Sequence, residues 1–283
     1  MQMYASFRDW LDKSPKEIDA LVFDIDGVLL TRGKRNRGSK RLLNMLEKKE
    51  IPFILLTNDG NHSTLEKALS LQAAGIDLPS EKIVSCAHAI TPLVDERNLK
   101  GQLFFIMGDL GSPCYAQTAG LRTTRNLDDL PSCSGVIVGE ENYDWESTIN
   151  AVVNFFIDIP QALLIIPNPD EFYPGHTGTI RLAAGSIGRF VVSALKVYGI
   201  TISSLFLGKP YRPVFRMAHK YIEKIATRSI SVDRVMMVGD NLHSDTQGAI
   251  DFGYRSAIVL TGVTNHAMLA SSSIKPKFVF EQL

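Results

Sequence analysis

The feature that most constrains this 283-residue chain is a series of short, continuous apolar runs at 21–23, 53–56, 103–107, 136–138, 162–166, 205–207, 235–238 and 257–260. Each is bounded by polar or turn-forming residues. A run that does not alternate suits a strand covered on both faces, as in a parallel sheet flanked by helices. The intervening segments carry helix signals. Ser63-Thr64-Leu65-Glu66 has capping-box spacing, with Leu65, Ala68, Leu69 and Ala73 at helical intervals before Gly75. Asp144 is placed to cap a helix running through Phe156 that Pro160 would end, and further helices are expected over 213–226 and 245–252. Strand and helix alternate, so the class is α/β with a Rossmann-like parallel sheet.

The residues at the carboxyl ends of these runs narrow the chemistry. Asp24-Ile25-Asp26-Gly27 stands after the first, Thr57-Asn58-Asp59-Gly60 after the second, Gly208-Lys209-Pro210 after the sixth and Gly239-Asp240-Asn241 after the seventh. Open α/β sheets bind ligands beyond the carboxyl ends of their strands, so these four polar ends are expected to converge. Alone, an Asp-x-Asp-Gly reads equally well as an acidic turn. Both carboxylates reach one site only if the chain leaves strand geometry after Asp24, a departure that Gly27 suits. Asp240 and Asp245 add two more. Unit charges about 4 Å apart repel by roughly 4 kcal/mol at an effective dielectric near 20, so such a cluster shifts its pKa values or takes a cation. An all-oxygen donor set without His or Cys selects a hard ion, Mg²⁺ before Ca²⁺ or Zn²⁺. Lys209, Thr57 and the amides opening the next helix are suited to a phosphate dianion.

Composition excludes other classes. Hydrophobic residues at 45% and a formal net charge of zero, from 30 basic and 30 acidic residues, do not describe a disordered chain or a general nucleic-acid binder. No apolar stretch approaches the roughly 18 residues of a membrane span, and the amino-terminal stretch has no apolar signal region. The three cysteines, Cys86, Cys114 and Cys133, make no metal-binding pair. A cytoplasmic protein without membrane partners is expected. The basic run from Arg32 to Arg41 reads as a solvated flap, with steering of anions as its second reading. His243 reads as a surface residue.

Taken together, Asp24-x-Asp26-Gly27-Val28, Thr57-Asn58, Lys209-Pro210 and Gly239-Asp240 with Asp245 resemble the four ordered motifs of the haloacid dehalogenase (HAD) phosphatase superfamily. Leu55-Leu56-Thr57-Asn58, Asn168-Pro169-Asp170, Gly178-Thr179-Ile180 and Val259-Leu260-Thr261-Gly262-Val263 resemble its class IIA branch, that of NagD, p-nitrophenylphosphatases and cat-eye-syndrome-region hydrolases. The resemblance implies a HAD core of residues 1–91 and 202–283 with an inserted α/β, C2-type cap at 92–201. It implies a Mg²⁺-dependent phosphatase acting through an aspartyl-phosphate, with Asp24 as nucleophile and Asp26 as general acid and base. Thr57, Asn58 and Lys209 would hold the phosphoryl group. Asp24, Asp26 through its backbone carbonyl, Asp240 and Asp245 would serve the metal, Asp245 either directly or from the outer shell. Asp59 departs from the family pattern and reads as a turn former.

The expected partner is a small phosphorylated metabolite of sugar, polyol or nucleotide type. The loop from Asn168 to His176 is the foremost candidate to face it, through Asn168, Asp170, Tyr173 and His176; Pro113-Cys114-Tyr115 and Arg181 rank behind. The alternatives are a phosphotransferase or mutase on the same scaffold, or a regulatory binding protein. No Gly-x-Gly-x-x-Gly comes after the first run, which disfavours a dinucleotide binder. Oligomeric state stays open, a homodimer included.

Overall fold

The structure, a computed structural model, describes residues 1–13, 17–174 and 179–283. The chain divides into two compact units: Met1–Thr57, Thr64–Val84 and Lys209–Leu283 form the first, Asn58–Ser63 and Ser85–Gly208 the second. The second is thus an insertion in the sequence of the first. Its main segment extends about seven residues beyond each boundary expected from sequence.

The first unit is built on a seven-stranded sheet, in the order Gln2–Ser6, Phe278–Gln282, Arg255–Val259, Val235–Gly239, Ala20–Phe23, Phe53–Thr57, Ile83–Ser85. The first six pair in parallel along that order. Ala20–Phe23, Phe53–Thr57 and Val235–Gly239 are buried at every position, which is why their sequences are apolar without alternation. Gln2–Ser6, at the edge, is largely exposed and carries no such signature. Phe7 anchors the core, packing edge-to-face on Phe23 at 5.8 Å and on Phe280 at 5.1 Å. The helix Arg212–Ala226 buries Val214, Phe215, Ala218 and Ile222, one face at helical spacing.

The second unit has its own five-stranded parallel sheet, in the order Ser203–Phe206, Leu163–Ile166, Gly135–Val138, Leu103–Met107, Arg122–Thr124. Asp144 caps the helix Trp145–Asp158, its Oδ1 accepting from Ser147 N at 2.8 Å. Phe172–Pro174 pairs antiparallel with Ile180–Leu182.

One expectation is corrected. The sixth apolar run falls in the core by the sequence boundaries, yet Ser203–Phe206 pairs with Leu163–Ile166 in the inserted sheet. An all-apolar run reads the same in either parallel sheet; only the pairing partner decides between them. Among the described residues, no helix is long and apolar enough to cross a membrane.

Candidate active site

Three polar strand ends meet in the first unit. Asp24 follows Ala20–Phe23, Thr57 closes Phe53–Thr57, and Asp240 follows Val235–Gly239, with Ala20–Phe23 between the other two. From the middle strand the chain builds the sheet first on one side and later on the other, the switch point at which open sheets bind ligands. After Asp24 the backbone curls: Leu29 N and Leu30 N both donate to Ile25 O at 2.9 Å, and Gly27 takes φ +84°. Asp24 therefore stays buried while Asp26 turns outward, where its Oδ2 lies 3.3 Å from Lys67 Nζ. Thr57 is buried at its strand end.

Lys209 is not delivered by a core strand, as the sequence suggested. It stands where the chain returns from the inserted unit, just ahead of Arg212–Ala226. Its Nζ lies 2.8 Å from Asp24 Oδ1 and 2.7 Å from Asp245 Oδ1, and donates to Leu56 O at 3.3 Å. Ile25 N also donates to Asp24 Oδ1, at 2.8 Å. Asp245 sits in a π-helical turn, Leu242–Gln247, opened by Asn241, whose Oδ1 accepts from His243 N and Ser244 N. Such wide turns recur at functional sites. Asp245 Oδ2 accepts from Asp240 N and Asn241 N, both at 3.1 Å, and Asp240 Oδ2 accepts from Val263 N at 2.6 Å. His243 is exposed.

Three buried carboxylates lie about one ammonium, and with all three ionised two negative charges would stand uncompensated. Burial raises the Asp24 pKa well above the carboxylate range; Lys209 opposes this, and Asp245 and Asp240 add to it. Asp240 is pushed up to about 7, by burial first and then by Asp245. Burial works against the Lys209 charge, but Asp24 and Asp245 outweigh it and hold the ammonium above its ordinary value. One oxygen each of Asp24, Asp240 and Asp245 lie within 4.8 Å of one another. The local packing keeps room for them: a Cβ on Gly27 would lie 2.1 Å from Asp240 Oδ2, and one on Gly262 1.9 Å. This buried, all-oxygen, over-negative set fits a hard divalent cation.

The remaining candidates belong to the inserted unit. Asn58 Nδ2 donates to Asp170 Oδ1 at 2.9 Å, and Asp170 N to Asn168 Oδ1 at 2.9 Å. Asn168, 7% exposed, gives its Nδ2 to Glu140 Oε1 at 2.8 Å. Tyr173 OH bonds Glu141 Oε1, and Arg181 Nη1 meets the same oxygen at 2.9 Å. Tyr115 OH donates to His62 O. His176 and Gly178 lie outside the described residues. Asp59 forms a local turn: Oδ1 accepts from Asn61 N and His62 N, and His62 Nδ1 lies 2.9 Å from Oδ2. Within the basic run, Arg35 donates to Gly75 O at 3.0 Å, securing the end of the Thr64–Ala73 helix.

Sequence reasoning missed Lys67 and Glu140. A cation near the start of a helix opposes the helix dipole, and that is the one signal Lys67 offered. The signal for Glu140 is Val138-Gly139-Glu140, which repeats the pattern of Val238-Gly239-Asp240 at another strand end.

Two family models match, "Haloacid dehalogenase-like hydrolase" over residues 21–122 and a HAD-hydrolase-like model over 206–283. The chain is 25% identical to the dihydroxyacetone phosphatase of Corynebacterium glutamicum over 92% of this chain and 87% of that protein. It is 26% identical to the Escherichia coli ribonucleotide monophosphatase NagD, over 93% and 96% of the two chains. In fold it is similar to a possible sugar phosphatase of Cytophaga hutchinsonii, with a TM-score of 0.81, 22% identity, and coverage of 100% of this chain and 98% of that one.

Proposed function

Because the chain belongs to the haloacid dehalogenase-like hydrolases and is a phosphatase of their class IIA branch, we propose that it hydrolyses a small phosphorylated metabolite of sugar, polyol or nucleotide type through an aspartyl-phosphate on Asp24. The observation that carries this reading is the buried cluster of Asp24, Asp240 and Asp245 around the Lys209 ammonium. The names of the relatives, enzymes acting on dihydroxyacetone phosphate and on ribonucleotide monophosphates, support the substrate class.

In the first step a carboxylate oxygen of Asp24 bonds to phosphorus and the ester P–O bond breaks, while Asp26 gives its proton to the leaving oxygen. In the second, Asp26 takes a proton from water, the water oxygen bonds to phosphorus, and the acyl-phosphate P–O bond breaks. Inorganic phosphate leaves and Asp24 is restored. The outward placement of Asp26, apart from the buried cluster, supports its role as the group that exchanges protons. Lys209, Thr57 and Asn58, the residue after Thr57, would bind the phosphoryl oxygens as their charge redistributes. Asp24, the Asp26 carbonyl, Asp240 and Asp245 would hold Mg²⁺, which when bound supplies positive charge to those oxygens.

Discrimination among substrates is assigned to the inserted unit's loop from Asn168 to His176, with Tyr173 oriented by Glu141, and with Asn168 and Asp170 acting through their bonds to neighbours. The free thiols of Cys86, Cys114 and Cys133 support a cytoplasmic, reducing setting. A phosphate-release screen over phosphorylated metabolites with Mg²⁺ tests the reading. The wild type is expected to turn over a subset of them, and Asp24→Asn to fold normally and turn over none. Wild-type activity in Asp24→Asn would overturn it.

A further inference from the structure

We propose that Glu140 is a positioning residue of this reaction, fixing the Asn58–Ser63 turn through a closed ring of hydrogen bonds; the proposal rests on the phosphate-binding role given to Asn58 above. Glu140 is 5% exposed. Its Oε2 accepts from Asn61 Nδ2 at 2.6 Å, and its Oε1 from Asn168 Nδ2 at 2.8 Å and Ala184 N at 3.0 Å. Asn168 Oδ1 accepts from Asp170 N, and Asp170 Oδ1 from Asn58 Nδ2, both at 2.9 Å. Asn58 and Asn61 share one turn, so the backbone between them closes the ring.

Three N–H donors converge on the Glu140 carboxylate, an arrangement suited to its ionised, acceptor-only form. Burial raises its pKa, while the bonds from Ala184, Asn168 and Asn61 oppose that rise. A buried charge is a poor way to fill space, and an apolar side chain of similar volume often serves folding as well or better. The ring gives the charge a different task. The Asn58 amide is planar, so the hydrogen given to Asp170 fixes the direction of its second N–H as well. The turn's backbone is held to the same unit: Asn58 O accepts from Cys86 Sγ at 3.1 Å, Asp59 O from Ser85 Oγ at 2.7 Å, and Asn61 O from Gly111 N at 2.9 Å. Glu140 thus acts on the reaction through Asn58, without contact with the substrate.

A double-mutant cycle on the full chain tests this, using p-nitrophenyl phosphate with Mg²⁺ and thermal unfolding as the check on folding. Glu140→Ala is expected to lower kcat on the order of tenfold with KM changed less than about threefold. In the Asn58→Ala background the same substitution should lower kcat less than about twofold, because its route to the reaction is already gone. The exchange variant Glu140→Gln/Asn61→Asp swaps donor and acceptor across the 2.6 Å bond and should return kcat to near the wild-type value. Wild-type kcat in Glu140→Ala, or losses that multiply in the double variant, would overturn the proposal while leaving the phosphatase reading intact. Should Glu140→Ala not fold, the exchange variant decides: near-wild-type kcat supports the ring, and a loss as large as that of Asn58→Ala overturns it. A folded wild type inert toward every phosphomonoester overturns the underlying reading, and this proposal with it.

Discussion

The Lys209 ammonium and the Asp245 carboxylate meet at 2.7 Å with side-chain exposures of 2% and 1%. Neither charge is tolerable alone at that depth. Lys209→Met leaves Asp24, Asp240 and Asp245 without their ammonium, and breaking a buried pair in this way costs about 3 kcal/mol or more. Urea unfolding in EDTA at pH 7 should show that loss, and added Mg²⁺ should recover part of it. Unchanged stability in EDTA would mean that the cluster is held by something other than this pairing.

Protons and a divalent cation compete for the same oxygens. With Asp240 pushed up to about 7, against roughly 3.9 in an unfolded chain, the folded protein holds a proton that the unfolded chain has lost between those values. The contribution of this group to metal-free stability is therefore complete below about pH 4 and declines as pH rises toward 7. Mg²⁺ needs the ionised form, so the rise in Tm on adding it should be larger at pH 8 than at pH 5. Asp240→Asn should remove most of that difference. Equal Tm shifts at the two pH values in the wild type would count against the cluster as the metal site.

Asp26→Asn removes the proposed proton donor but leaves the buried cluster untouched, since the Asp26 side chain pairs with Lys67 outside it. The loss should depend on the leaving group. Alkyl phosphates, whose alkoxide needs a proton, should slow by about 10²–10⁴-fold, and p-nitrophenyl phosphate by much less. Equal losses on both substrates would remove Asp26 from the acid role.

Gly27→Ala puts a Cβ at a φ of +84° and 2.1 Å from Asp240 Oδ2. The half-saturating Mg²⁺ concentration should rise by about tenfold or more, in line with the ~1–3 kcal/mol typical of such strain. Gly33→Ala separates backbone strain from crowding, because Gly33 has φ +71° and nothing within 4 Å of the added Cβ. A Mg²⁺ requirement shifted equally by both substitutions would show that crowding of Asp240 is not the cause.

The buried centre of the first unit was legible because its signals are local. An apolar run such as Phe53–Thr57 with a polar pair at its end states both its burial and the polar groups that close it within a few residues. Gly27 and Gly75 marked the curl after Asp24 and the end of the Thr64–Ala73 helix, and both adopt positive φ. The features that escaped depend on partners distant in sequence. Ser203–Phe206 could have joined either sheet until its pairing with Leu163–Ile166 was known. The hydrogen bonds from Asn168 to Glu140 and from Asn58 to Asp170 join positions that no spacing rule connects. Gln2–Ser6 sits at a sheet edge with exposed side chains, so it never shows the run that marked the central strands.

The division of the chain at Thr57/Asn58 and at Gly208/Lys209 bears on how the specificity proposed for the inserted unit can be transplanted between relatives. A chimera spliced only at residues 85 and 208 would pair a foreign insert with the native 58–63 turn. The hydrogen bonds from Asn61 to Glu140 and from Asn58 to Asp170 would then join groups of different origin. A graft that carries both segments keeps donor and acceptor from the same parent, so the transplantable module is discontinuous, and its shorter piece is a turn of six residues.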